Sequence, residues 1–293
     1  MASETSSSTS SPDIGTFSTS TFPPRDPFSP QTDHANGHTP ESYTPSSFTN
    51  GHTSPLSPTT SNVPNPAPLT LRAFLLGFTL SISLFLTIHL AFVKSNPLWR
   101  IPFFLTSLSL FHYLEYQVTA LYNPLAATTS AFLLSQNGRA YNIAHTLAFT
   151  ECGIHWYFFP NTFEVEDVTA QSLFLGLGFA MMIVGQLVRT TAMAQAGKNF
   201  SHVVSVKKKE GHVLVTDGVY SVLRHPSYFG FFWWGLGSQL VLGNLVCLLG
   251  YAVVLWRFFS ARIAKEEQSL IGFFGAEYKK YLKKTWTGIP FIY

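Results

Sequence analysis

Charged residues are scarce in this chain of 293 residues. Asp, Glu, Lys and Arg together make up 11% of it, whereas a soluble domain usually contains about 25%. The two cysteines, Cys152 and Cys247, lie in apolar stretches and are too few for a disulfide framework or a cysteine-based zinc site. Glycine-rich phosphate-binding motifs and the His/Cys spacings of metal sites are also missing. We therefore expect no soluble nucleotide enzyme and no bound metal, and the dispersed net charge of +3 argues against nucleic acid as a partner.

Aromatic residues, by contrast, reach 15%, with 27 Phe, 12 Tyr and 6 Trp. This combination is typical of a chain that is solvated mainly by lipid. The composition changes near residue 68: residues 1–68 are rich in Ser, Thr and Pro, and the apolar runs follow them. Such a segment buries too little apolar surface to offset its chain entropy, so we predict a disordered cytosolic tail over 1–68.

The apolar part predicts an all-α polytopic membrane protein. Runs at about 73–93, 98–121, 139–159 and 168–188 are each long enough to cross the roughly 30 Å hydrocarbon layer as a helix. A longer uncharged run, 227–256, contains Gly243 and Asn244 near its middle. Because about thirty helical residues would extend ~45 Å, we predict a tight turn there and a helical hairpin whose second arm continues past Arg257. The prediction is about six transmembrane segments, the last two forming the hairpin.

This pattern divides the chain into the tail, transmembrane segments one to four over 69–196, and a catalytic region over 197–293 with a cofactor loop, the hairpin and a C-terminal helix. Basic residues flank the same ends of segments four to six, and the positive-inside tendency assigns those ends to the cytosol; they are Lys198, Lys207, Lys208, Lys209, Arg224, Arg262, Lys265, Lys279, Lys280, Lys283 and Lys284. The loop with Glu164, Glu166 and Asp167 then faces the lumen. Lys94 and Arg100 also fall on the lumenal side, which counts against this orientation.

The hairpin brings polar groups together that are far apart in sequence, since both of its ends emerge on one side of the membrane. Residues 224–228 should lie beside residues 262–267. Arg262 and Glu266 share a helix face at i, i+4 and form either a surface ion pair or part of a site. The alternating residues of 199–204 and 210–220 predict short strands or a folded loop.

Several short motifs stand together in the last third of the chain. They are Gly218-Val219-Tyr220, Arg224-His225-Pro226-Ser227-Tyr228-Phe229-Gly230, Arg257-Phe258-Phe259, Glu266-Glu267-Gln268-Ser269-Leu270-Ile271, Phe273-Phe274-Gly275, Tyr278 with Tyr281, and Thr287-Gly288-Ile289-Pro290-Phe291-Ile292. Together they resemble the C-terminal signature of the isoprenylcysteine carboxyl methyltransferases. The resemblance covers roughly residues 71–293 in architecture and 197–292 in motif. Parts of it also occur in phospholipid methyltransferases and, more loosely, in sterol reductases.

The resemblance implies a multi-pass enzyme of the endoplasmic reticulum membrane with an active site that faces the cytosol. Its members transfer a methyl group from S-adenosyl-L-methionine, a methyl-donor co-substrate, to the C-terminal α-carboxylate of a farnesylated or geranylgeranylated cysteine. The implied partners are prenylated CaaX proteins such as small GTPases, as substrates, and membrane lipid.

Carried over by position, the resemblance assigns a cofactor pocket to His212, Val213, Leu214, Val215, Tyr220, His225, Pro226, Ser227, Tyr228 and Glu266. Ser205 stands where some relatives have Gln, so a cofactor contact there would come from the shorter hydroxyl. Arg262 matches the arginine assigned to the substrate carboxylate and is the expected catalytic residue. Glu267, on a different helix face from Glu266, is expected to matter less.

The chemistry of the residues agrees with this assignment. The cofactor carries charges of both signs, which Glu266, His225 and Tyr220 can accommodate. An α-carboxylate has a pKa of roughly 3.5, so the acceptor is ionised at neutral pH and needs no general base. Catalysis then depends on placement and on removal of water from the nucleophile, and Arg262 can hold one carboxylate oxygen while the other attacks.

Two other functions fit parts of the sequence. Phosphatidylethanolamine N-methylation would use the same cofactor, although an amine acceptor has no need for Arg262. A membrane transporter or channel would use Glu115, Glu151 and His155 as an intramembrane relay. Because carboxylates are costly in lipid, we expect Glu115 and Glu151 to be paired within the bundle instead.

Overall fold

The structure, a computed structural model, describes residues 66–134, 137–159, 168–208 and 210–293, with the backbone alone for 168–171. Most of the predicted tail, the acidic residues Glu164, Glu166 and Asp167, and Lys209 lie outside the described residues. The described chain contains seven α-helices: α1 (Ala67–Ile88), α2 (Arg100–Tyr122), α3 (Gly138–Phe158), α4 (Val168–Ala196), α5 (Pro226–Leu242), α6 (Leu245–Phe274) and α7 (Ala276–Leu282).

The predicted all-α class is confirmed. Within the described residues, β-structure is limited to one isolated bridge between Leu223 and Trp286. Three of the described helical segments are long and apolar enough to cross a membrane: Ala67–Val93, Ser172–Asn199 and Leu245–Phe274. Helices also occupy the predicted runs 98–121 and 139–159.

The hairpin predicted at Gly243 and Asn244 is confirmed. Gly243 ends α5 with a φ of +74°, a left-handed conformation that glycine adopts without strain. The Asn244 side chain donates hydrogen bonds to Ala148 O at 2.8 Å and to Gln239 Oε1 at 3.0 Å, which ties the turn to α3. Helix α6 then continues for 30 residues, past Arg257, as predicted.

Helices α4 and α5 lie in direct backbone contact because glycines meet at two levels. A Cβ atom added to Gly178 would lie 2.9 Å from Gly237 O, and one added to Gly185 would lie 2.8 Å from Trp234 N. Small residues permit this close approach, which is a common way to pack helices in membranes. The contact fixes the start of α5 against the last turns of α4.

Glu115 and Glu151 both have partners within the helix bundle, as expected. Glu115 on α2 accepts hydrogen bonds from Arg189 on α4, at 2.5 Å from Nε and 2.8 Å from Nη2. Glu151 on α3 accepts from the backbone N–H groups of Val246 at 2.8 Å and Cys247 at 2.7 Å. It therefore caps the first turn of α6, where a negative charge is favourable. These contacts give both carboxylates a structural role.

The C-terminal segment returns to the start of α5. The Arg224 N–H donates to Trp286 O at 2.8 Å, and the Trp286 N–H donates to Val222 O at 3.0 Å. Farther on, Ile289 and Ile292 are buried against the helix core. The segment thus anchors the residues that precede α5.

The described residues of 200–217 form a folded loop and contain no strand, so of the two forms considered for this region the loop is correct. Its backbone is held by a side chain: the Val213 N–H donates to Asn199 Oδ1 at 3.0 Å. The loop ends in a 3-10 turn at Gly218–Ser221. Alternating residues alone could not reveal this, because a strand needs a partner strand.

Candidate active site

A pocket opens where α5 begins and α6 ends. It encloses about 700 Å³ of empty space, part of it open to solvent. Its walls come from the loop after α4, the first turn of α5, the last turns of α6, and α7. The lining residues are Ala196, Asn199, Phe200, Ser201, His212, Val213, Leu214, Val215, Tyr220, Arg224, His225, Pro226, Ser227, Tyr228, Glu266, Leu270, Phe274, Tyr278 and Tyr281.

The loop contributes a mostly apolar wall. The ring of His212 packs edge-on against Phe273 and Phe274, with centroid distances of 5.9 and 5.4 Å. The hydrogen bond from the Val213 N–H to Asn199 Oδ1 ties this part of the loop, which continues into Leu214, to the turn that follows α4. This side of the pocket suits a flat or apolar part of a ligand.

The first turn of α5 is held in place by the buried ion pair between Arg189 and Glu115. Pro226 occupies the first helical position after His225, where its fixed φ favours helix initiation. Arg189 donates to Ser227 through Nη1, at 3.1 Å to the backbone oxygen and 2.8 Å to Oγ. Since Glu115 holds the same guanidinium, the pair positions the turn that carries the pocket residues.

Tyr228 links the two charged residues that the sequence singled out on α6. Its hydroxyl donates to Glu266 Oε2 at 2.5 Å and accepts from Arg262 Nε at 2.8 Å. The second arm of the Arg262 guanidinium donates to the backbone oxygen of His202. The hairpin therefore brings the Tyr228 hydroxyl of α5 into contact with both Arg262 and Glu266 of α6.

Glu267 has a larger role than expected. Its Oε1 accepts from Arg224 Nε at 2.6 Å and lies 3.2 Å from His225 Nε2. Arg224 also donates to Thr285 O at 2.9 Å, and its side chain is only 3% exposed. Glu266 lines the pocket and Glu267 does not, so the expectation that cofactor binding depends less on Glu267 stays a prediction. The pair with a buried arginine gives Glu267 a structural role that the sequence did not indicate.

Tyrosines close the far side of the pocket. Tyr281 donates to Tyr220 O at 2.7 Å, and Tyr220 donates to Ala192 O at 3.2 Å. Burial raises the pKa of both phenols above its ordinary value, that of Tyr281 to about 12. Both remain neutral hydrogen-bond donors at physiological pH.

His202 lies beside Arg262, which donates to its backbone oxygen. Its Nδ1 lies 3.7 Å from Glu115 Oε2. Burial lowers the pKa of the His202 imidazole to about 4, and the nearby guanidinium groups of Arg189 and Arg262 act in the same direction against the opposing effect of Glu115. The ring is therefore neutral at physiological pH and adds no charge beside Arg262.

Every residue predicted for the cofactor pocket lines this cavity except Ser205, which lies half-buried in the loop. Arg262 does not line it either, and reaches it through Tyr228. Sequence reasoning missed Arg224, Tyr278 and Tyr281, although all three stand in the quoted motifs. The spacing of Tyr278 and Tyr281 on one face of α7 was the available signal.

The pocket combines both signs of charge with aromatic walls. Glu266 supplies a carboxylate and Arg224 a guanidinium. The Tyr278 hydroxyl is buried and has no hydrogen-bond partner in the part of the chain that the structure describes, so a ligand could satisfy it. Among those same residues, no group of three or more His, Cys, Asp or Glu could hold a metal ion. The arrangement suits a ligand that carries both positive and negative charges.

Comparisons with known proteins agree with this geometry. A family model described as the isoprenylcysteine carboxyl methyltransferase (ICMT) family matches residues 177–272. A protein-S-isoprenylcysteine O-methyltransferase of Saccharomyces cerevisiae is 46% identical over 224 residues, which cover 76% of this chain and 91% of the yeast protein. The Homo sapiens protein of the same name is 40% identical over 225 residues, covering 76% of this chain and 75% of the human one.

The fold is also similar to a solved structure. The structure of the eukaryotic intramembrane Ras methyltransferase ICMT without a monobody matches with a TM-score of 0.68 and 36% sequence identity. The match covers 77% of each chain. Likeness in sequence and in structure therefore extends over most of the helical part.

Proposed function

The chain belongs to the isoprenylcysteine carboxyl methyltransferase family, and we propose that its pocket binds S-adenosylmethionine next to the carboxylate of a prenylated cysteine. The protein methylates the isoprenylcysteine carboxylate and uses S-adenosylmethionine as the methyl donor. The observation that carries the proposal for the site is the hydroxyl of Tyr228, which touches both Arg262 and Glu266.

The residues of the pocket fit the methyl donor. Glu266 faces the pocket and can pair with an ammonium group, while Arg224 and the unsatisfied hydroxyl of Tyr278 can meet a carboxylate. The apolar loop wall can cover the flat adenine ring. When bound, S-adenosylmethionine would supply a methyl group on a positively charged sulfur. A bond from the carboxylate oxygen to the methyl carbon would form as the carbon–sulfur bond breaks and the neutral thioether leaves, which needs neither an acid nor a base.

Arg262 is the proposed anchor for the acceptor. Its Nε is held by Tyr228 and one terminal nitrogen by the His202 carbonyl, so the guanidinium is fixed in orientation before the substrate arrives. A fixed fork can hold one carboxylate oxygen and leave the other free to attack. The rings of Tyr228 and Phe258 lie 5.3 and 5.8 Å from the guanidinium carbon and limit access of water.

The proposal extends to architecture and location. We propose six membrane segments, with 69–196 holding the first four and 197–293 forming the catalytic region. The basic residues of α7 and of the loop after α4 support a cytosolic position for the pocket. We also propose residence in the endoplasmic reticulum and prenylated CaaX proteins such as small GTPases as substrates. The similar solved structure is that of an intramembrane Ras methyltransferase, which supports a substrate of this class.

The direct test uses purified full-length protein in detergent with labelled S-adenosylmethionine. The acceptors are N-acetyl-S-farnesylcysteine, the same compound with its carboxyl group converted to an amide, and phosphatidylethanolamine. We expect a base-labile methyl ester on the first acceptor and no transfer to the other two. Transfer to phosphatidylethanolamine at a comparable rate would contradict the proposal.

A further inference from the structure

A second cavity lies at the end of the helices opposite to the methyl-donor pocket. It encloses about 800 Å³ of empty space, part of it open to the surroundings, and lies beside the hairpin turn, roughly 25 Å along α5 from Pro226 at a rise of about 1.5 Å per residue. The residues that line it are mostly apolar, among them Phe174, Leu175, Leu240 and Leu248. One charged side chain, Arg100, is part of the wall.

Arg100 is buried, with 7% of its surface exposed. Its Nε donates to Val241 O at 3.0 Å and its Nη1 to Pro97 O at 3.4 Å. The guanidinium carbon lies 4.0 Å from the ring centroid of Trp156 and 4.8 Å from that of Trp99. The tryptophans and carbonyls thus fix the guanidinium in one orientation.

The charge of Arg100 is not balanced by a carboxylate in the described part of the chain. The ion pairs found there all join other residues. The carboxylate of Glu151, on the neighbouring helix α3, already accepts from the N–H groups at the start of α6. Within the same residues, the Nη2 of Arg100 makes no hydrogen bond. A buried cation without a counter-ion is costly.

We propose that this cavity binds a membrane phospholipid. Arg100 would bind its phosphate group, and an acyl chain would lie along the apolar wall. An amphipathic ligand fits better than a free anion, because the cavity is almost entirely apolar apart from Arg100 and the amides Gln239 and Asn244. The Asn244 Oδ1, buried in the turn, has no hydrogen-bond partner in the described chain, so it can accept from a headgroup hydroxyl after a small shift.

The position of the cavity explains what the lipid would do. Gly243 and Asn244 form the turn that sets the distance between the arms of the hairpin, and both line the cavity. A lipid held there stabilises the turn in the leaflet opposite to the methyl-donor pocket.

The test measures thermal unfolding and native mass spectra of the full-length protein in a neutral detergent. Three probes are added: dioctanoyl phosphatidylglycerol, dioctanoylglycerol, which lacks the phosphate, and inorganic phosphate, which lacks the chains. We expect one bound phosphatidylglycerol per chain and a rise of roughly 5–10 °C in the unfolding temperature at a hundredfold excess over Kd. Dioctanoylglycerol and inorganic phosphate should have little effect.

Variants place the effect in this cavity. Arg100→Met removes the cation, and Leu248→Trp fills the cavity while Arg100 stays intact, which keeps the test valid if the first variant does not fold. Leu249→Trp is the matched control, since Leu249 is 64% exposed and does not line the cavity. We expect the phosphatidylglycerol effect to disappear in the first two variants and to persist in the control.

Four results would overturn the proposal. Equal stabilisation by dioctanoylglycerol would show a site for chains alone, and equal stabilisation by inorganic phosphate would show a site for a free anion. An unchanged response in Leu248→Trp would place the lipid elsewhere. The fourth concerns the unfolding temperature without added lipid. If Glu164→Gln/Glu166→Gln/Asp167→Asn lowers it as much as Arg100→Met does, the partner of the arginine belongs to the chain itself.

Discussion

Arg262 and Glu266 lie one helix turn apart on α6, yet these two side chains, both described by the structure, form no ion pair with each other. The Tyr228 hydroxyl stands between them, 2.8 Å from Arg262 Nε and 2.5 Å from Glu266 Oε2. A direct ion pair, which the i, i+4 spacing favours, would neutralise both groups. The tyrosine instead orients both, and each charge stays available for a different ligand.

Removal of that hydroxyl should release both side chains from their fixed orientation. Tyr228→Phe keeps the ring but deletes one donor to Glu266 and one acceptor for Arg262. A hydrogen bond to a charged group is worth about 1.5–3 kcal/mol, so we expect kcat to fall by roughly 10- to 100-fold, with a smaller change in cofactor Kd. Steady-state methylation of a farnesylcysteine analogue measures this.

Tyr157→Phe is the control for that experiment, because Tyr157 is 69% exposed on α3 and far along the chain from the pocket. It should behave as the parent protein. A Tyr228→Phe variant with parental kcat would show that the hydroxyl does not position Arg262.

Glu267 should matter for stability. Its carboxylate is the partner of Arg224, whose side chain is 3% exposed, and breaking a buried pair from one side typically costs about 3–5 kcal/mol. Because Gln keeps one acceptor, we expect Glu267→Gln to lose about 3 kcal/mol and several degrees in unfolding temperature. Glu277→Gln, at an exposed position in α7, should change neither. Equal unfolding temperatures for both variants would contradict the assignment.

The contact between α4 and α5 should not tolerate a methyl group. A Cβ atom at Gly185 would meet the backbone of α5, 2.8 Å from Trp234 N, so Gly185→Ala must push the helices apart. Overpacking of this kind costs about 1–3 kcal/mol. The matched variant on the same helix is Gly176→Ala, where nothing lies within 4 Å. If thermal unfolding of the two variants were the same, the close approach of the helices would be wrong.

The hairpin was predictable because two physical facts sufficed: an uncharged run too long for one crossing, and Gly243 with Asn244 at its middle. Most of the pocket lining was predictable because its residues stand in contiguous motifs that resemble the family signature. The role of Glu267 was not, since its partner Arg224 comes from another part of the chain, and helix-face arguments treat α6 alone. The loop at 200–217 likewise depends on one distant side chain, Asn199, that no local pattern reveals.

The central claim is that Arg262 holds the acceptor carboxylate while Glu266 serves the methyl donor. It is tested most directly by measuring, for Arg262→Lys and Glu266→Gln in the same detergent, both S-adenosylmethionine binding and single-turnover methylation of a farnesylcysteine analogue. Because Lys keeps the charge but loses the planar fork, we predict that Arg262→Lys lowers the single-turnover rate by about ten- to a thousandfold, at ~1.4 kcal/mol per tenfold, with cofactor Kd nearly unchanged. Glu266→Gln should instead raise the cofactor Kd. The same profile of binding and rate in both variants would contradict this division of roles.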